Sequence, residues 1–293
     1  MTPPADPVRE SPPDGPGRVG PGPAGRDLPV AIATGVVAAG AFLGTLVFHP
    51  LAFLAFLAAL AAVALLELDV AFRAVGLRPA TPVAAASGLI ALLGVHWAGA
   101  GAQGVALTVL LLGTAGWTLA LSGAGRSPTR PVASSGATVL MALWVPFALG
   151  FAGLLLARPE GVYLVMATVA LTVTNDIAAY AFGVRLGRRR MAPAVSPAKT
   201  WEGFAGGLAT TLVVAVAVTA RLGEVGVGTA LALAAGVAVA GTVGDLTESL
   251  VKRDLGLKDL GKVMPGHGGL MDRGDAILFS LPVAHLLLSA LGL

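Results

Sequence analysis

Apolar residues in this chain come in long unbroken runs, not in the alternation of a strand or the narrow stripe of a surface helix. A run of roughly 20 such residues, coiled as a helix, spans the hydrocarbon core of a bilayer. The pattern predicts spanning helices near 28–48, 50–66, 80–98, 102–122, 133–157, 161–183, 202–220, 226–250 and 276–293, about nine in all. The second, third and last are short or interrupted. The expected class is an all-α polytopic membrane protein. No internal repeat of the kind that builds many transporters is visible.

The polar connectors between the runs set an orientation. With the N-terminus in the cytoplasm, the inside segments are 1–27, 67–79, 123–132, 184–201 and 251–275. They hold 17 of the 19 Lys and Arg residues, leaving only Arg158 and Arg221 outside. Basic residues accumulate on the cytoplasmic side of membrane proteins, so this split supports both the orientation and the helix count. Three regions follow. Residues 1–27, "MTPPADPVRESPPDGPGRVGPGPAGRD", form a Pro/Gly-rich tail that cannot bury enough apolar surface to fold and is expected to be disordered. It does not read as a signal peptide, because the next apolar run is too long and no convincing cleavage site follows. Residues 28–160 form N-terminal helices, and 161–293 hold nearly all the polar chemistry.

Composition agrees with this class. Of 293 residues 56% are hydrophobic and only 12% charged, and mean hydropathy is +0.84. The absence of cysteine excludes disulfides and thiolate chemistry.

Against that background two polar stretches stand out. The run 226–250 turns polar at its end, where Thr242, Asp245, Ser249 and Lys252 share one helix face and Glu248 lies beside them. An ionisable group inside a membrane helix is costly and faces a cavity or a partner, which makes Asp245 a site candidate. Lys252 and Arg253 follow, then the glycine-rich "PGHGGLMDRGD". Successive amides in such a loop can cradle an anion around Gly266, Gly268 and Gly269, with His267 between them. Asp272 and Asp275 come three apart, with Arg273 between. Carboxylates suit a hard cation such as Mg2+. A metal flanked by Lys and Arg suits a triphosphate, and hence phosphoryl or nucleotidyl transfer. A merely solvated loop would not need Asp245 inside an apolar helix.

The second stretch lies upstream. "LTVTNDIAAYAFG" places Thr172, Asn175, Asp176 and Tyr180 on one helix face. In "RLGRRRMAPAVSPAKTWEG", Ser196 before Pro197 reads as a helix N-cap with proline in the first turn, a phosphate-binding arrangement to which Lys199 adds charge. Arg185, Arg188, Arg189 and Arg190 read as topology determinants at an anionic lipid surface. Gly203 and Gly207 have the spacing of close helix packing, within the chain or across a dimer. His49, His96 and His285 read as structural.

"SLVKRDLGLKDLGKVMPGHGGLMDRGD", Ser249 to Asp275, resembles the signature of the phosphatidate cytidylyltransferases, also called CDP-diacylglycerol synthases. "NDIAAYAFG" and "SPAKTWEG" resemble upstream blocks of the same family, in the expected order. The resemblance covers about 165–293, and the first half matches only as generic membrane helices. Gly274 departs from it, standing where the family usually carries a larger apolar residue, and leaves the charged positions intact.

The resemblance implies synthesis of CDP-diacylglycerol and pyrophosphate from CTP and phosphatidic acid with Mg2+. It implies metal binding by Asp245, Asp272 and Asp275, and phosphate contacts by Lys252, Arg253, Lys258 and His267. Ser196, Lys199 and Thr200 would hold lipid or nucleotide phosphate, and Asp176, Ser249, Gly268, Gly269 and Arg273 complete the expected substrate-binding set. The bilayer is the expected partner, a homodimer fits the family, and no nucleic-acid partner is expected. The expected location is the plasma membrane, with the site facing the cytoplasm. Two other readings are a polytopic transporter, which predicts paired broken helices in two related halves, and a CTP-dependent lipid kinase, which would release CDP. A lipid substrate cannot leave the bilayer cheaply. A polar cavity open to the membrane is therefore expected between the sixth, seventh and eighth spans, with Asp176, Lys199 and Asp245 on its wall.

Overall fold

The computed structural model describes residues 28–222, 226–261 and 269–292. The N-terminal tail, His267 and Gly268 lie outside the described residues. The helices are α1 (Leu28–Phe48), α2 (Pro50–Ala74), α3 (Thr81–Leu93), α4 (Val95–Ala98), α5 (Gly101–Gly123), α6 (Pro131–Ala142) and α7 (Ala148–Leu156). After them come α8 (Gly161–Leu186), α9 (Trp201–Leu222), α10 (Val227–Asp254) and α11 (Met271–Ala290). Among the described residues, six helical segments are long and apolar enough to cross a membrane: α2, α5, Pro131–Leu156, α8, α9 and α10. The runs at 28–48 and 80–98 hold the shorter apolar helical stretches Ala33–Phe48 and Thr81–Leu93. The last run gives α11, which begins with Asp272, Arg273 and Asp275 and is not among the six.

Local chemistry fixes many boundaries. Proline stands in the first turn of α2, α3 and α6, where its missing N–H costs nothing. His49 caps α2, its Nδ1 accepting the Leu51 amide at 3.1 Å, a structural role. Pro146 lies inside the segment 131–156 and forces a π-helical turn at Leu143–Phe147. Its ring packs where a side chain on Gly88 would sit, 2.5 Å from the missing Cβ.

Some expected element bounds need correction. The second span does not stop at 66; α2 continues to Ala74 and absorbs most of the expected 67–79 loop. Its late charges are compensated locally, since Asp69 accepts from Arg73 at 2.6 Å and also from Thr81. The run 80–98, expected to be short or interrupted, does break, at Gly94, into α3 and α4. The all-α expectation misses a two-stranded antiparallel hairpin, β1 (Arg190–Ala192) and β2 (Ser196–Thr200).

The hairpin overturns the reading of Ser196 as an N-cap. Ser196 and Lys199 lie in β2, and α9 starts at Trp201. Stronger caps downstream win. Thr200 Oγ1 accepts the Gly203 amide at 3.1 Å. The Glu202 carboxylate accepts the amides of Arg188 at 3.0 Å and Arg189 at 3.1 Å, which locks the hairpin base to the helix start.

The catalytic-looking half is a tight set of α8, α9, α10 and α11. A Cβ on Gly203 would lie 2.7 Å from the Ala179 carbonyl oxygen, and one on Gly207 2.8 Å from Asn175 Oδ1. The glycine spacing therefore serves packing of α9 on α8 within this chain.

Candidate active site

Two glycines let α10 and α11 approach closely enough to bring their carboxylates together. A Cβ on Gly244 would sit 2.6 Å from the Asp275 carbonyl oxygen; one on Gly241 would meet Ala276, Ser280 and Thr172 at 3.5 Å. With the backbones this close, Asp245 and Glu248 of α10 meet Asp275 of α11. One carboxylate oxygen from each lies within 4.8 Å of the other two. Oxygens bound ~2.0–2.6 Å from one cation are at most about 5.2 Å apart, so the trio can share a hard cation. Glu248 is 2% exposed and Asp275 8%. Glu248 Oε1 is buried with no hydrogen-bond partner among the described residues. An orphaned carboxylate oxygen inside an anionic trio fits a bound cation.

Asp272 takes a different place from the one expected. Its Oδ1 accepts from Lys252 Nζ at 3.0 Å and its Oδ2 from the Gly269 amide at 3.0 Å. Lys252 also pairs with Glu248 Oε2 at 2.7 Å. Asp272 thus stands one lysine away from the trio, and Glu248 occupies the third position within it.

A cavity of about 330 Å³ opens beside this cluster. Its walls come from α8, the hairpin, the start of α9 and the middle of α10. Asp176, Ser196, Lys199, Thr200 and Asp245 line it, as do Asn175 and Tyr180. Lys199 Nζ reaches across to Asp245 Oδ2 at 2.5 Å and to the Thr242 carbonyl at 3.4 Å. Asp245 belongs both to the cavity wall and to the carboxylate trio. The face drawn through Thr172, Asn175, Asp176 and Tyr180 divides. Thr172 is fully buried and bonds the Thr168 carbonyl at 2.8 Å, away from the cavity. Tyr180 is 76% exposed at the cavity edge.

Of the other expected site residues, Arg253 Nε donates to the Val195 carbonyl at 3.4 Å and so ties α10 to the hairpin turn. Ser249 is half-buried on α10, while Lys258 and Arg273 are exposed. Sequence reasoning missed Glu67. This α2 carboxylate is 5% exposed, and its Oε2 accepts the amides of Leu270 at 2.8 Å and Met271 at 3.3 Å. The available signal is an acid at the end of an apolar run, where the pattern predicts the loop 67–79.

Comparison with known proteins adds an independent line. Residues 29–291 match the Cytidylyltransferase family. The chain is 36% identical over 285 residues to the phosphatidate cytidylyltransferase of Mycobacterium leprae (strain TN), covering 92% of this chain and 89% of that one. It is 34% identical over 286 residues to the phosphatidate cytidylyltransferase of Mycobacterium bovis (strain ATCC BAA-935 / AF2122/97), covering 92% and 90%. A phosphatidate cytidylyltransferase of Staphylococcus aureus (strain COL) is 37% identical over 141 residues, 48% of this chain and 54% of that one.

Proposed function

The chain belongs to the cytidylyltransferase family, and on that premise we propose that it is a phosphatidate cytidylyltransferase, making CDP-diacylglycerol and pyrophosphate from CTP and phosphatidic acid. The observation that carries this reading is the placing of the Lys199–Asp245 pair on the wall of a cavity edged by apolar, exposed side chains. Met166, Val173, Ile177, Tyr180 and Val184 form an exposed stripe along α8, and Tyr180 and Val184 line the cavity itself. An amphiphile with a phosphate head can rest its chains on that stripe and its head beside Lys199.

The reaction needs no covalent enzyme intermediate. An oxygen of the lipid phosphate attacks the α-phosphorus of CTP, the bond to the β-phosphate oxygen breaks, and pyrophosphate leaves. Lys199 exchanges Asp245 for the lipid phosphate, which holds the nucleophile and frees the Asp245 carboxylate. Asp245, Glu248 and Asp275 would hold Mg2+, with Asp272 adjoining through Lys252. When bound, the metal would neutralise phosphate oxygens and orient them for in-line displacement. Lys252 keeps Glu248 and Asp272 in register, and Arg253 keeps the hairpin over the cavity. Lys258 and Arg273 are exposed cations for the phosphate side; the substrate contacts that the resemblance implies for His267 and Gly268 lie outside the described residues.

The same reading takes α1, α3 and α11 as shorter spans, giving nine, in a homodimer in the plasma membrane. The N-terminus and the site face the cytoplasm, where the excess of Lys and Arg lies. The test is purified protein in mixed micelles with labelled CTP, phosphatidic acid and Mg2+. Metal-dependent formation of liponucleotide with pyrophosphate is expected. Release of CDP with a phosphorylated lipid would identify a kinase instead, and no CTP turnover at all would favour a transporter.

A further inference from the structure

The start of α11 is capped from the other half of the chain, by Glu67. The first four amides of a helix lack partners within it. The α11 N-cap position, Leu270, supplies no side-chain cap. Glu67 supplies the acceptor instead, from a helix some 200 positions earlier, through the amides of Leu270 and Met271. A negative group at a helix N-terminus is also favoured by the helix dipole. The first turn of α11 begins there, and Asp272 follows Met271 directly.

The fit around Glu67 is close. A Cβ on Gly261 would lie 2.1 Å from the Glu67 carboxyl carbon, so only glycine leaves room for the side chain at that position. A Cβ on Gly269 would lie 2.7 Å from the Gly261 amide nitrogen and 2.8 Å from Asp272 Oδ2. Gly261, Gly269, Glu67 and the start of α11 thus form one contact group. Its far edge is Asp272, and through Asp272 it reaches Lys252 and Glu248.

We propose that Glu67 is a positioning residue for the transferase reaction, setting the axial position and rotation of α11 so that Asp275 meets the α10 carboxylates and Asp272 meets Lys252. This rests on the functional reading above, but its central prediction concerns metal binding and is measurable without nucleotide or lipid. The variants are Glu67→Ala and Glu67→Gln in the detergent-purified full chain. Asp69→Asn serves as a control on the same helix, because Asp69 bonds only Arg73 and Thr81 among the contacts described.

Mn2+ affinity is read by electron paramagnetic resonance and folding by thermal melting. Loss of an outer partner of a metal ligand costs about 10- to 100-fold in affinity or activity. Glu67→Ala is expected to weaken Mn2+ binding by that factor and to lower kcat in step, with the KM for phosphatidic acid within about twofold of wild type. Glu67→Gln keeps the shape and one acceptor oxygen, so it recovers part of both losses. Asp69→Asn leaves both at wild-type values. Wild-type Mn2+ affinity in folded Glu67→Ala overturns the proposal; should that variant not fold, wild-type affinity and kcat in Glu67→Gln overturn it. Wild-type protein that binds Mn2+ but does not turn over CTP and phosphatidic acid would refute the functional reading and leave the metal-binding comparison standing.

Discussion

Gly241 and Gly244 lie one turn apart on α10, and the structure assigns opposite outcomes to the same substitution at each. A Cβ at Gly244 would be 2.6 Å from the Asp275 carbonyl oxygen, against 3.4 Å or more for ordinary contact. The obstacle is backbone, so it cannot swing aside, and α10 and α11 must part by about 0.8 Å, a shift near the 1 Å misplacement that can cost 10²-fold in rate. That separation acts on the junction that brings Asp245 and Glu248 to Asp275. Gly244→Ala is therefore expected to lose about 10²-fold in kcat and, as an overpacked site, about 1–3 kcal/mol of stability. A Cβ at Gly241 finds its neighbours at 3.5 Å, already ordinary contact. Gly241→Ala should keep activity within about twofold and gain up to about 1 kcal/mol from the helix propensity of alanine. Liponucleotide formation and thermal melting of both variants in one detergent read the two quantities. Equal behaviour of the two variants, in either assay, would refute the claim that close contact at Gly244 sets the carboxylate geometry.

Lys199→Ala should raise the KM for phosphatidic acid more than that for CTP, because the proposed reading gives Lys199 the lipid phosphate; the reverse pattern would move it to the nucleotide side. Asp272→Asn removes the charge facing Lys252 but keeps an acceptor for the Gly269 amide; it should cost about 10- to 100-fold in kcat while the protein stays folded, and near-normal turnover would count against a role in the site. Thr200→Val removes the side-chain cap of α9 and should lower stability by about 1 kcal/mol, read by thermal melting, with a larger effect than Ser196→Ala.

The sequence made the helices legible because apolar length is a strong signal, and it made their ends less legible because ends depend on single contacts. The acids and the arginine after Leu66 looked like a loop, yet Asp69, Arg73 and Thr81 satisfy one another and let α2 run on to Ala74. Ser196–Pro197 looked like a helix start, and nothing in its local pattern revealed that Glu202 would gather two backbone amides from Arg188 and Arg189. Those two bonds, with the Thr200 cap, move the start to Trp201 and leave the preceding residues free to pair as a hairpin. Lys199 reaches the cavity all the same, because a strand laid across the mouth of α8 and α10 delivers its side chain to Asp245.

The site itself divides along the same line. Helical periodicity tells which residues share a face, so Asp245 and its neighbours could be grouped in advance, and the cost of intramembrane charge marked them as functional. Periodicity does not tell which faces of different helices meet. The close approach of α10 and α11 at Gly244 decides that Asp275 joins Asp245 and Glu248, and the Lys252 ammonium decides that Asp272 stands just outside. Glu67 was still further from view, since no pattern in α2 points to the start of α11. Yet the expected and observed carboxylate sets differ by a single bridge. Lys252 touches Glu248 on one side and Asp272 on the other, so the two sets are neighbours within one network, separated by a lysine contact and not by a difference in fold.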